Sequence, residues 1–236
     1  MQTFPQLYMT LTAAFPASLK NKLIVSVQAF PGGPLDDTDT LRRMAIAAVR
    51  GGAGGLRANG PEHIAAFRLE TSLPIIGILK RFNENGPLIT PDFASAKAVA
   101  EAGSDIIGVD CSAHRPASLE PWPELLARIA KDLRKPVLAD IASLDEAIAA
   151  EKAGASAVAT TMYGYTPETE GKRSVDWELV ERLVAGLSIP VIVEGHVHTP
   201  DDARRALDLG AFAVVVGAAI TQPEWITTRF VKAIEE

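Results

Sequence analysis

The stretch from Ile189 to Ile220, IPVIVEGHVHTPDDARRALDLGAFAVVVGAAI, constrains the fold more than any other. It holds two short apolar runs, Val191–Val193 and Ala213–Val216, β-branched and too short for helices. Between them Thr199-Pro200-Asp201-Asp202 opens a helix with a hydroxyl cap, a proline in the first turn and two carboxylates favourable to the helix dipole. Gly210 ends that helix. The result is a β-α-β unit whose strands are apolar throughout, as parallel strands covered on both faces must be.

The same alternation runs through the chain. Strands are expected at Leu23–Gln28, Gly55–Asn59, Ile75–Lys80, Ile106–Cys111, Pro136–Ile141, Ala157–Thr161, Val191–Glu194 and Ala213–Gly217. Helices are expected at about Thr38–Val49, Pro61–Glu70, Asp92–Ala102, Pro121–Leu133, Leu144–Ala153, Asp176–Ala185, Pro200–Leu209 and Pro223–Ile234. Gly51, Gly103, Gly154 and Gly210 stand where left-handed helix ends belong. Eight such units in 236 residues, with no low-complexity linker, suit one (β/α)8 TIM barrel, a fold of roughly 250 residues. Residues 1–21 then form an N-terminal helical extension that closes the barrel bottom. An open doubly wound sheet is the alternative.

Composition narrows the partners. A net charge of −6 leaves no basic footprint for nucleic acid. No run approaches the ~20 apolar residues of a membrane span, and the amino end is a poor signal peptide. Cys111 is the only cysteine, which excludes an intrachain disulfide and fits a reducing, cytoplasmic setting.

The chemistry gathers at the strand ends. Gln28, Arg57, Lys80, Asp110, Asp140 and Glu194 all fall at or just beyond the carboxyl end of an apolar strand, where a barrel places its active site. Buried charge is costly unless paired or used, so the residues read either as structural ion pairs or as a working site. Lys80 and Glu194 would face each other across the mouth. Burial and a neighbouring cation such as Arg57 or Arg81 would lower the lysine's proton affinity towards that of a base. Proton abstraction beside a carbonyl, a Schiff base on Lys80, or an ion pair all remain open from spacing alone.

The loops after the last two strands are this fold's usual phosphate site. There Gly195 and Gly217-Ala218 permit close backbone approach, and Thr221 with Glu224 resembles the capping box of a final helix. His196 and His198 form an H-x-H pair, but no metal-ligand cluster accompanies it. His63, on a helix, and His114, in a loop, read as ordinary. Cys111 reads as a buried structural thiol. Tyr165 lies in a loop, residues 164–171, long enough to cover a sugar.

Several motifs together resemble the N-acylglucosamine-6-phosphate 2-epimerase family: SVQAFPGGPL (26–35), LRANG (56–60), PIIGILKR (74–81), ITP (89–91), VLADI (137–141), TMYGYTPETEG (161–171), VEGHVHTP (193–200) and AVVVGAAITQP (213–223). The resemblance spans Leu23 to about Phe230. It implies a TIM barrel that epimerises N-acetylmannosamine 6-phosphate at C2 during sialic acid use, with neither metal nor organic cofactor. It implies Lys80 as catalytic lysine and Glu194 as its carboxyl partner. Gln28, Arg57 and Asp140 would hold the sugar and its N-acyl group, and the loops at Gly195 and Gly217 would cradle phosphate. Two positions depart from the family pattern: His196 stands where Gly or Arg is usual, and Gln222 replaces the arginine of AITRP. Backbone amides and a protonated His196 would have to compensate for the lost guanidinium. Barrels of this family are often dimeric, and Trp225 and Phe230 on the last helix are the residues expected to meet a partner.

Overall fold

Pro190 precedes the apolar run Val191–Val193, which forms a strand ending at Glu194, and Pro74 and Pro136 precede two more strands in the same way. A computed structural model describes residues 13–83 and 86–235. In order they form β1 (Lys22–Val27), α1 (Thr38–Arg50), β2 (Gly55–Asn59), α2 (Pro61–Arg68), β3 (Ile75–Ile78), β4 (Lys80–Asn83), β5 (Gly86–Ile89), α3 (Phe93–Glu101), β6 (Ile106–Asp110) and α4 (Trp122–Arg128). Then come β7 (Val137–Asp140), α5 (Leu144–Lys152), β8 (Ala157–Ala159), α6 (Trp177–Gly186), β9 (Val191–Glu194), α7 (Pro200–Asp208), β10 (Ala213–Val216), α8 (Ala218–Thr221) and α9 (Pro223–Glu235). Eight strands close in the order β1-β10-β9-β8-β7-β6-β3-β2, all parallel, while β4 and β5 pair antiparallel outside the barrel. This is a TIM barrel.

Local signals set the helix starts. Asp37, Asp92 and Asp176 each accept a first-turn backbone N–H, and Ser143–Glu146 and Thr199–Asp202 close reciprocal capping boxes. Gly103, Gly154 and Gly210 take positive φ as expected, but at the end of α1 it is Gly52 that does so (φ 96°) while Gly51 stays right-handed (φ −73°).

Side chains alternate across each strand, so two cores arise. One lies between barrel and helices and contains Leu56, Ile64, Phe67, Ile107 and Leu183. The other fills the barrel: Ile24, Ile76, Ile106, Leu138, Ile192 and Val215 point inward, and Phe15 and Leu19 cap them from below. Leu19 sits in a single 3-10 turn, Ala17–Leu19, rather than the longer helix expected over residues 1–21. The part of that expectation over residues 1–12 lies outside the described residues.

Three further expectations need correction. The third barrel strand ends at Ile78, and Lys80 opens a hairpin instead of closing the strand. The helix predicted over 121–133 is α-helical to Arg128 and continues as a π-helical turn, Ile129–Leu133, which Arg134 ends in the left-handed region. Thr221 does not cap the last helix. It is the buried final residue of α8, and its hydroxyl donates to Ser26 O and Gly217 O.

Candidate active site

Counting by twos up each strand from the apolar interior leads to the mouth. Ile106 leads through Gly108 to Asp110, Leu138 to Asp140, Ile192 to Glu194, Ile76 through Ile78 to Lys80, and Ile24 through Ser26 to Gln28. Arg57 on β2 belongs to the same inward set. Register pairing sets Ser26 beside Arg57 and Asp110 beside Asp140.

Arg57 organises the cluster. It is fully buried, and its fork meets Asp140 through two bonds, Nη1 to Oδ1 at 2.9 Å and Nη2 to Oδ2 at 2.8 Å. Nη1 also donates to Glu194 Oε2. Burial disfavours the guanidinium charge, but Asp140 and Glu194 outweigh it and raise the group's proton affinity. Glu194 is 9% exposed. Its carboxyl is raised above the ordinary range, chiefly by burial and against the opposing pull of Arg57. Lys80 moves the other way, down to about 8, because burial strips its ammonium of water and Arg57 repels it. Glu194 and Asp140 partly offset that shift. The site therefore holds a lysine and a carboxyl whose proton affinities have been drawn towards each other.

The backbone of Lys80 is held by Asn59, whose Oδ1 accepts the Lys80 N–H at 2.8 Å. Leu79 and Thr90 close the root of the hairpin, with Thr90 N donating to Leu79 O at 2.9 Å. Gly108 supplies room. A Cβ added there would lie 2.6 Å from Ile78 Cγ2 and 3.3 Å from Asp140 Oδ2. Thr160 and Thr161 follow β8. Thr160 Oγ1 brackets the main chain of Glu194, donating to its O at 2.8 Å and accepting from its N at 3.0 Å. Thr161 Oγ1 donates to Asp140 Oδ1 at 2.5 Å and lies 3.4 Å from Arg57 Nη1. Asn59, Gly108 and Thr161 were absent from the sequence-based site. The alternation that singled out Asp110 and Glu194 also points Asn59 and Thr161 inward.

Gln28 reaches the mouth with Nε2 on Ser26 Oγ at 2.7 Å, and its Oε1 is buried without a partner. Asp110 accepts from Ser112 N and Oγ through one oxygen and leaves Oδ2 buried without a partner. Burial raises its proton affinity against those two bonds. Burial also pushes the Cys111 thiol well up, in keeping with an unreactive side chain. His63 Nδ1 meets Asn59 O at 2.8 Å on α2, and His114 lies half-buried in the loop after β6.

The loops beyond β9 and β10 are built differently. Gly195 (φ 87°) and His196 (φ 57°) turn the chain sharply after Glu194. The His196 ring approaches Tyr163 O through Nε2 at 3.0 Å and stacks on Tyr165 at 5.6 Å between centroids. Burial lowers its proton affinity, the bond to Tyr163 O opposes that, and Arg173 lowers it further. Its stacked partner Tyr165 is 54% exposed, with its ring turned to His196. Gly217 precedes the short helix α8 that Ala218 begins, and Gln222 is half-buried just past its end. Trp225 packs on His198 at 4.9 Å within the chain and stays half-exposed. Among the described residues no group of three or more His, Cys, Asp or Glu side chains could hold a metal, and no helix is long and apolar enough to cross a membrane.

Comparison with known proteins adds an independent line. Residues 41–236 match the family model described as "NanE: Putative N-acetylmannosamine-6-phosphate epimerase". A protein of Caldanaerobacter subterraneus subsp. tengcongensis named "Putative N-acetylmannosamine-6-phosphate 2-epimerase" is 46% identical, over 92% of this chain and 93% of its own. A protein of the same name from Clostridioides difficile is 44% identical, over 92% and 97%. The solved N-acetylmannosamine-6-phosphate 2-epimerase of Clostridium perfringens superposes with a TM-score of 0.87 at 38% identity, covering 99% of this chain and 100% of that one. A thiamine phosphate pyrophosphorylase from Pyrococcus furiosus shares the fold, with a TM-score of 0.61 at 19% identity over 93% and 98%.

Proposed function

The chain belongs to the N-acetylmannosamine-6-phosphate epimerase family, and from that premise we propose that it interconverts N-acetylmannosamine 6-phosphate and N-acetylglucosamine 6-phosphate by inverting C2. The observation that carries the mechanism is the reciprocal tuning of Lys80 and Glu194 around Arg57. In the open-chain sugar, C2–H lies next to the C1 aldehyde. Neutral Lys80 takes that proton, and the C–H electrons move into the carbonyl to give an enolate. Protonated Glu194 returns a proton to the opposite face, leaving an ammonium and a carboxylate. The reverse reaction starts from that ionised pair. Either microstate carries the same total charge beside Arg57 and Asp140, so the cluster needs no external counter-ion. No metal or organic cofactor enters these steps.

In this reading Gln28, Arg57 and Asp140 orient the sugar and its N-acyl group, with Tyr165 at the edge. Phosphate lies against the loops of Gly195, His196, Gly217, Ala218 and Gln222. Burial lowers the proton affinity of the His196 ring and Gln222 is uncharged, so main-chain N–H donors carry most of that contact.

The assay is proton NMR with N-acetylmannosamine 6-phosphate in deuterium oxide. Deuterium appearing at C2 of N-acetylglucosamine 6-phosphate, and absent with Lys80→Ala, supports both reaction and base. Cleavage of a carbon–carbon bond would replace the epimerase by an aldolase using a Schiff base. Binding without exchange would leave a sugar-phosphate-binding protein. Turnover of the unphosphorylated sugar alone would assign His196 and Gln222 to an altered phosphate preference.

The partner surface is α9. None of its described residues is buried, and Phe230, Val231 and Ile234 stand 68%, 44% and 83% exposed. Such an apolar face on a helix suits a second copy of the chain. Sedimentation of wild type against Phe230→Glu decides it: a dimer that becomes monomeric supports the surface, and a monomeric wild type removes it. The buried, unpaired Cys111 fits a cytoplasmic setting.

A further inference from the structure

Two carboxyls, Asp140 and Glu194, share one donor nitrogen, Arg57 Nη1. That nitrogen has a third neighbour, the Thr161 hydroxyl at 3.4 Å. A threonine hydroxyl carries a single hydrogen. Here it points to Asp140 Oδ1 at 2.5 Å. Asp140 thus receives three donors on its two oxygens, two from Arg57 and one from Thr161. Glu194 receives Arg57, with its main chain clamped by Thr160.

We propose that Thr161 is a positioning residue whose single hydroxyl hydrogen alternates between Asp140 and Glu194, and so decides when Glu194 can hold the exchangeable proton. The inference deepens the epimerase reading and rests on it. The hydroxyl serves Asp140 in the structure, and it keeps that partner while Glu194 is protonated. Once Glu194 has given its proton to the enolate, its carboxylate is the stronger acceptor and draws the same hydrogen. Arg57 Nη1 already touches both carboxyls and the Thr161 oxygen, so the exchange needs only a reorientation of the Thr161 side chain between them.

The groups facing Glu194 are Arg57 from β2, Lys80 from β4 and Asp140 from β7, with Asp110 of β6 beside Asp140 in register. Burial raises the Glu194 carboxyl, and the Thr161 hydroxyl acts in the opposite direction. Deleting the hydroxyl therefore raises it further. The active enzyme needs one proton between Lys80 and Glu194, which makes the rate bell-shaped with limbs that belong to the pair. Loss of the hydroxyl moves the acid limb to higher pH and leaves the alkaline limb in place.

The test compares full-length wild type with Thr161→Val, Thr161→Ala and Thr161→Ser across pH, reading C2 deuteration and turnover. Thr161→Val and Thr161→Ala are expected to lose about tenfold in kcat near the acid limb, the scale of one hydrogen bond to a charged group, with KM little changed. Thr161→Ser, which keeps the hydroxyl, restores the limb. A Thr161→Val profile that superimposes on wild type overturns the proposal, and so does a Thr161→Ser profile that matches Thr161→Val. A second readout is independent of turnover: carbon NMR titration of the Glu194 carboxyl, assigned with Glu194→Gln. A midpoint that rises in Thr161→Val supports the switch even if wild type fails to turn over, a result that would sink the epimerase reading alone. An unmoved midpoint overturns it.

Discussion

The two ends of the barrel interior are built from the same strands and obey opposite rules. At the bottom Leu19, Ile24, Ile76, Ile106, Leu138 and Ile192 fill the space with hydrocarbon. At the mouth the inward positions further along are Lys80, Asp110, Asp140 and Glu194, gathered around Arg57. The lower end gains free energy from every methylene removed from water. The upper end gives up solvation of its charges and recovers it through pairing, which in a protein interior is close to neutral at best. One half of each strand therefore holds the fold together, and the other half spends little stability because its charges are matched.

Substitutions test that division. Lys80→Ala should cut turnover by about a thousandfold or more in the deuterium-exchange assay. The urea midpoint should stay level or rise, since the change removes an ammonium that burial and Arg57 already disfavour. A large loss of stability would mean that the mouth carries the fold after all. Arg57→Met should cost about 3–5 kcal/mol in urea unfolding, because two buried carboxylates lose their cation. The cost should shrink in acid, where the orphaned carboxylates take up protons and no longer need a counter-charge.

Leu19→Ala is the matching change at the bottom, expected to cost about 3 kcal/mol and to leave kcat of the folded enzyme unaltered. A fall in kcat would show that the two ends are mechanically linked. The smallest effect is one of pH. With Lys80 lowered to about 8, turnover should decline as pH rises through that value, because the Lys80–Glu194 pair then has no proton left to return. An alkaline limb near the ordinary lysine value would mean that the ammonium remains hydrated.

Much of this architecture was legible in the sequence because parallel strands announce themselves by β-branched runs, and their carboxyl ends by abrupt polarity. Val191–Val193 followed by Glu194 is such a signal. Runs of this kind do not say where pairing changes partner. The step from Ile78 to Lys80 crosses from barrel to hairpin with no break in the apolar pattern, and only the antiparallel return at Gly86–Ile89 reveals it. Nor does spacing distinguish helix starts from ends within a few residues: Thr221-x-x-Glu224 has the composition of a capping box, yet the Thr221 hydroxyl turns inward to Ser26 O. Asn59 and Thr161 were missed because uncharged residues at strand ends stand out less than charged ones. Their places come from the two-residue alternation, and their roles from the partners that Lys80 and Asp140 offer across the barrel.

Gly108 gives the site a vulnerability of another kind. It carries no functional group, yet an added methyl would press on Ile78 from one side and on the carboxylate that seats Arg57 from the other. Mutational tolerance at this mouth is therefore set by volume as well as by charge. In a saturation library position 108 would behave like an active-site position, and shape alone would be under selection there. Attempts to widen specificity by recruiting larger side chains to position 108 meet the same wall, because Ile78, Asp140 and the guanidinium already bound that space.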